Sequence, residues 1–321
     1  MHIPSDIIPP VGKDLLLSEL TKDKLLRRTN YGANEIYLFT HDQCPNLMRE
    51  LGRLREITFR AAGGGTGKEA DIDEFDISNE TPYCQMIVWD SQRNQIVGGY
   101  RFILGEYAAQ NPNEKLATGH IFNYSEKFVN EYLPYTIELG RSFIQPDYQY
   151  QKNSKRGLFA LDNLWDGILA LTSEYKHIKY WFGKFTMYKS YDVKARNLLL
   201  SFLRLYFPDN ENLVSPKQPI DIEFETNRKP FPGNNFSSDY KELKTLLRSY
   251  NSKIPPLVNA YMKLSDTMRT FGTADNPEFG EVEETGILIG VNETYESQRT
   301  RHLKNYKTLI DISSIYPSMR K

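Results

Sequence analysis

Four stretches of this 321-residue chain hold six charged residues in settings that call for an explanation. Arg55 and Phe59 are four residues apart on one predicted helix face. Asp73 and Asp76 flank Phe75. Arg101 stands inside the apolar run IVGGYRFIL, and Glu138 and Arg141 stand inside YTIELGRSFI. A charge within an apolar strand must be paired or used. The bland reading is a set of ion pairs joining a sheet to its neighbours. The chemical reading is a site in which arginines grip a carboxylate and an acid takes a proton from an amine. By strand alternation Glu138 and Arg141 face opposite sides unless a bulge intervenes.

Other chemistries lack their residues. The run GGGTGKE, at 63–69, imitates a phosphate loop, but Ala62 replaces the first glycine and Glu69 replaces the metal-binding hydroxyl. A helix precedes the run where a strand is required. It is expected to be a mobile link that lets Asp73 and Asp76 close over a site as a lid. No G-x-S-x-G elbow, H-E-x-x-H or paired-cysteine motif is present. His120 is expected in a surface loop. Trp165, Trp181 and Tyr180 are expected in the core.

The elements that must position these groups follow from periodicity. Helices are expected over 14–29, from Pro45 to the glycines at 63–65, over 158–175 and 193–207, and in the tail at 239–250 and 254–270. Strands are expected at 35–39, 85–90, 96–104, 135–144, 179–185 and 286–291. SQRN closes a hairpin between the second and third of these. The segment 105–134 is expected to be a polar connection, and 208–240 a linker. The order points to an α/β fold with a mixed central sheet flanked by helices. The domain reading is an N-terminal helical segment over 1–34, a core over 35–210 and an extension over 211–321 that completes the fold.

Net charge is −1, with no concentrated basic excess, so nucleic acid is not an expected partner. Two cysteines, Cys44 and Cys84, suit reduced thiols in a cytoplasm. No segment approaches the roughly 18 apolar residues of a spanning helix, and the first residues lack a signal-peptide pattern. The expected location is cytoplasmic, with peripheral contact at the inner membrane surface compatible with it.

The ordered set R55-x-x-x-F59, D73-x-x-D76, R101 and E138-x-x-R141 is similar to that of the acyl-homoserine-lactone synthases. It also resembles their relatives, the N-acyltransferases of ornithine- and glycine-lipid synthesis, sometimes called haemolysin-like, within the GNAT acyltransferase fold. IELGRSFIQPDYQ looks like the family's fourth strand and the loop after it. LFALDNLWDGILAL looks like the next helix, and YWFGKFTM like the fifth strand. IPPLVNAYMKLSDTMRTFGTADNPEFG resembles the C-terminal segment of the aminolipid branch, whose glycine-lipid members are the nearest in pattern. The resemblance spans roughly 35–290.

It implies transfer of a 3-hydroxyacyl chain from acyl carrier protein to the α-amine of glycine, or next ornithine. The product would be a lyso-aminolipid for a separate O-acyltransferase. No resident cofactor is implied. Glu138 would be the base or hold the amine, with Arg141 beside it. Arg55, Phe59, Asp73, Asp76 and Arg101 would bind substrate. Backbone around Ser142, Phe143 and Ile144 would hold the oxyanion, in a gap where the fourth and fifth strands splay. The usual glycine-rich coenzyme A loop is replaced by QYQKNSKRG, with Lys152, Lys155, Arg156 and one glycine, Gly157. That favours a carrier protein over coenzyme A, which stays open as the other donor. The alternatives are autoinducer synthesis from S-adenosylmethionine and a non-catalytic acyl-carrier-binding protein.

Overall fold

The computed structural model describes residues 4–149, 157–222 and 231–309. The strands are β1 (Leu25–Arg28), β2 (Glu35–Phe39), β3 (Cys84–Asp90), β4 (Gln95–Leu104), β5 (Phe122–Tyr124), β6 (Thr136–Ile144), β7 (Tyr180–Met187), β8 (Val214–Pro216), β9 (Arg269–Asn276) and β10 (Val282–Gly290). The helices are α1 (Lys13–Glu19), α2 (Pro45–Ala62), α3 (Pro112–Lys115), α4 (Ala160–Glu174), α5 (Val193–Tyr206), α6 (Phe236–Ser249), α7 (Pro256–Tyr261) and α8 (Glu296–Leu303). Eight strands form one sheet in the order β1-β2-β3-β4-β6-β7-β10-β9, and β5 pairs with β8 apart from it. Every pairing in the large sheet is antiparallel except β6 with β7. The mixed sheet expected from the sequence is therefore present.

Alternation along the strands divides the core. Met86, Tyr100, Leu139, Trp181 and Phe185 pack towards α4, α5, α6 and α7. Ile87, Ile96 and Phe143 pack under α2. Ile103 and Phe182, on that same second face, lie under the segment 105–134. α2 begins with Pro at its first turn and stops at Gly63, whose φ of 95° only glycine adopts readily.

Three expectations change. The 14–29 segment is not one helix: α1 ends at Glu19, and β1 pairs with β2. The Glu19 carboxylate instead accepts the backbone N–H groups of Asn46 and Leu47 at the start of α2. The 254–270 segment stops being helical after Tyr261 and enters β9, where ladder pairing with β10 overrides helical spacing. The connection 105–134 buries Leu116, Phe122, Phe128 and Leu133 and forms a packed cap rather than a polar loop. β9 and β10, from the expected extension, complete the sheet beside β7. Among the described residues no helix is long and apolar enough to cross a membrane.

Candidate active site

β6 and β7 hydrogen-bond from Thr136–Tyr180 to Leu139–Gly183 and then part. Beyond that rung β6 continues to Ile144 and β7 to Met187, so the two strands make a fork. A cavity of about 650 Å³ fills it. Gly140, Arg141, Ser142, Phe143 and Ile144 line one side, and Lys184, Phe185 and Thr186 line the other. The cavity draws its walls from both faces of the sheet. Leu161 and Leu164 of α4, with Leu257, Val258 and Tyr261 of the α7 region, give an apolar end. Thr58 and Phe59 of α2, with Phe279, Lys184 and Glu284, give an end with charge.

Arg141 sits on a bulge. Between the rungs Gly99–Phe143 and Arg101–Gly140, β4 advances two residues and β6 three. Arg141 itself has φ of 50°, a left-handed conformation that is uncommon for a side-chain-bearing residue and concentrates at functional sites. A bulge takes the extra residue out of the ladder and re-aims its neighbours. The intervening bulge is what lets Arg141 reach the cavity from the strand that carries Glu138.

The arginines and aspartates form one network. Arg55 donates to both Asp76 oxygens at 3.2 Å, and to the Gln85 side chain. Arg101 donates to Asp73 at 2.6 Å and lies 3.1 Å from Asp76. Arg141 donates to Asp73 at 3.1 Å through Nη2 and to Asp71 at 3.1 Å through Nε. Three guanidinium groups thus face three carboxylates. Arg55, Asp76 and Arg101 are sealed, whereas Arg141 keeps 14% of its side chain exposed and lines the cavity. Burial raises the Asp73 carboxyl, but Arg101 and Arg141 outweigh it and hold the group well below the usual carboxylate range. Phe59 lines the cavity and packs edge-on to Phe279, with ring centroids 5.1 Å apart.

Glu138 is set apart from this network. Its carboxylate accepts from the Tyr83 hydroxyl, from the backbone N–H groups of Ala117 and Thr118, and from the Thr118 hydroxyl. It is 1% exposed and is not among the cavity-lining residues. The direct base role expected for it therefore lacks access in this arrangement. His120 is exposed, as expected for a loop.

The glycine run is not the free lid expected. Glu56 accepts from the Thr66 hydroxyl at 2.8 Å and from the backbone N–H groups of Thr66 and Gly67. Gly64 passes so close to Tyr188 that a Cβ would stand 2.8 Å from the ring. Asp73 and Asp76 then lie in the ion network, not on a flap. Ser142, Phe143, Ile144 and Gly157 all line the cavity, while Lys152, Lys155 and Arg156 lie outside the described residues.

The sequence reading missed Asp71, Gln85, Lys184 and Glu284. Lys184 is a charge inside the apolar run YWFGKF, the same signal that marked Arg101. Glu284 lies in β10, two residues before the expected strand start at 286. The two make a buried ion pair in the cavity wall.

A protein-family model described as an acetyltransferase (GNAT) domain matches residues 54–157. Two curated proteins, each called glycine N(alpha)-acyltransferase, align along nearly the whole chain. The one from Phocaeicola vulgatus is 52% identical over 94% of this chain and 93% of its own. The one from Bacteroides thetaiotaomicron is 53% identical over 94% of this chain and 90% of its own. A solved structure, that of a CoA-dependent acyl-homoserine lactone synthase, MesI, aligns over 86% of this chain and 99% of its own. Its TM-score is 0.36 and its identity 13%, too distant to inform the site.

Proposed function

The chain belongs to the glycine N(alpha)-acyltransferase family, and on that premise we propose that it moves a long 3-hydroxyacyl chain from acyl carrier protein to the α-amine of glycine. Acyltransferase activity and the GNAT fold belong to the family; the donor and the acceptor are our reading. The observation that carries it is the fork cavity, apolar at one end and charged at the other, with the bulged strand between them. A small polar acceptor and a long thioester-bound chain need separate compartments that meet at one carbonyl.

In this reading the acyl chain lies against α4 and α7. The thioester oxygen accepts from backbone N–H around Ser142–Ile144, and one such donor is typically worth about 10²–10³ in kcat. Arg141 faces the acceptor's carboxylate, which an arginine can hold with two parallel hydrogen bonds. Its orientation is set by Asp71, Asp73 and Phe279, whose ring centroid lies 4.6 Å from its guanidinium carbon. Arg55, Arg101 and Asp76 act one layer behind, by fixing Asp73. The α-amine, with a pKa of about 8 even in peptides, must shed a proton to solvent before it attacks the thioester carbon; the C–N bond forms, the C–S bond breaks, and the carrier's thiol leaves with the second amine proton. We assign Glu138 a positioning part: it ties residues 117–118 to β6 at the root of the fork.

The cations in QYQKNSKRG suit the acidic surface and single phosphate of a loaded carrier protein. The monoacylated product is an amphiphile. It would be drawn to the inner membrane surface and consumed there by an O-acyltransferase.

The test is to incubate the protein with 3-hydroxyhexadecanoyl carrier protein and an equimolar mixture of glycine, ornithine, serine, lysine and S-adenosylmethionine, and to weigh the products. N-acylglycine is the expected mass. An ornithine product changes the acceptor alone. Methylthioadenosine would replace the reading with autoinducer synthesis. An intact thioester, with product formed only from the coenzyme A ester, would remove the carrier protein.

A further inference from the structure

Lys184 is the first residue of β7 beyond the last rung shared with β6, and so stands at the root of the fork. It faces the α2 side of the sheet, as Phe182 does two residues earlier. Its ammonium pairs with Glu284 of β10, and only 12% and 3% of the two side chains are exposed. Glu284 also accepts from Thr186 at 3.0 Å and from Asn276 at 2.8 Å. Both charged residues line the cavity at its Arg141 end. A buried ion pair recovers its desolvation cost only with good geometry and further hydrogen bonds, so one built into a cavity wall is better explained by a ligand than by stability. The Arg–Asp network ties β6 to α2, whereas this second pair joins β7 to β10, strands that ladder hydrogen bonds already hold together.

On the acyl-transfer reading above, we infer that Lys184 and Glu284 are the seat of the acceptor amino acid. A free α-amino acid is a zwitterion, and a Lys–Glu pair presents the matching charges in the opposite order. Laid antiparallel on the pair, the acceptor puts its ammonium on Glu284 and its carboxylate on Lys184. Arg141, on the facing strand, supplies a second cation to the carboxylate. The seat lies next to the bulged segment Arg141–Ser142, which brings the α-amine to the carbonyl held there. Phe59, Phe279 and Tyr188 wall the same end of the cavity. Lys184 and Glu284 are thus binding and specificity residues that act beside Arg141.

The test compares glycine with glycinamide, which keeps the amine and lacks the carboxylate. In the wild-type protein the seat requires a strong preference for glycine. Lys184→Met is expected to lower kcat/KM for glycine by roughly 30-fold and to change that for glycinamide by less than about 3-fold, because only glycine loses a charge-assisted contact. Glu284→Gln is expected to lower both acceptors about equally, since both carry the ammonium. The KM for the acyl donor stays unchanged in each, and Lys184→Arg restores part of the preference.

Because either single change strands a buried charge, the double variant Lys184→Met/Glu284→Gln is the decisive one. Folded, by thermal melt and circular dichroism, it should lose most of the glycine-over-glycinamide ratio. A folded double variant with the wild-type ratio overturns the seat while leaving acyl transfer intact. A wild-type protein that acylates no amino acid overturns the function reading first, and the seat with it.

Discussion

Arg141 holds a left-handed backbone, and that conformation costs a side-chain-bearing residue on the order of 1–3 kcal/mol. Arg141→Gly should relieve part of this cost while removing the cation proposed to face the acceptor. We expect thermal stability to fall by less than in Arg141→Ala, with kcat/KM for glycine lost in both; melting curves and initial rates check this. Asp76 is the opposite kind of residue, sealed between Arg55 and Arg101. Asp76→Ala strands two buried cations and should destabilise by about 3–5 kcal/mol in urea titration. Glu138→Gln divides its two readings. As a positioning residue it loses stability, because an amide N–H2 is turned towards existing donors at about 1–3 kcal/mol. As a base it would in addition lose about 10²–10⁴ in kcat. We expect the former, with a shifted melt and an unchanged pH–rate profile. Arg101, Glu138 and Arg141 were legible in the sequence because charge inside an apolar run is conspicuous, whereas Asp71 and Gln85 carried no such signal. What the sequence hid was their exposure: Arg101 and Arg141 look alike in the sequence, and only a one-residue bulge brings the second of them to the cavity.

The elements set which carboxylates matter as pH changes. Asp73 bridges β4 and β6 through Arg101 and Arg141, and its folded-state pKa is depressed. A depressed carboxyl contributes stability that is fully present above its unfolded value, near about 4, and is lost as pH falls towards the folded value. The melting temperature should therefore decline below about pH 4, and Asp73→Asn should flatten that limb; melts from pH 2.5 to 7 decide it. The fork has its own weak point. A Cβ on Gly183 would stand 2.6 Å from the Leu139 carbonyl oxygen, at the last rung before the strands part. Gly183→Ala should cost about 1–3 kcal/mol by overpacking and widen the fork, raising the KM for both substrates. Helices with clear caps, such as α2, were readable from Pro45 and Gly63. β1 and β9 were not, because their helical spacing is overridden by partners far off in the chain. The cap over 105–134 escaped because its buried apolar residues follow no single period.

At the scale of the whole molecule, β7 lies between two strands that reach it at very different times. β6 precedes it by one helix, but β10 follows about a hundred residues later, and beyond Gly183 β10 is its only sheet partner among the described residues. A chain cut after Asn210 would leave an apolar edge open along all of β7, and should be recovered mainly as aggregate. The same arrangement governs how the protein is made. At synthesis rates of about 5–20 residues per second, the strand carrying Lys184 waits on the order of 5–20 s for its partner to leave the ribosome. Through that interval the nascent chain offers a hydrophobic strand to any other chain nearby. The fork and the folding hazard thus share one origin: the strand that must part from β6 to open the cavity is also the one whose other edge waits about a hundred residues for its partner.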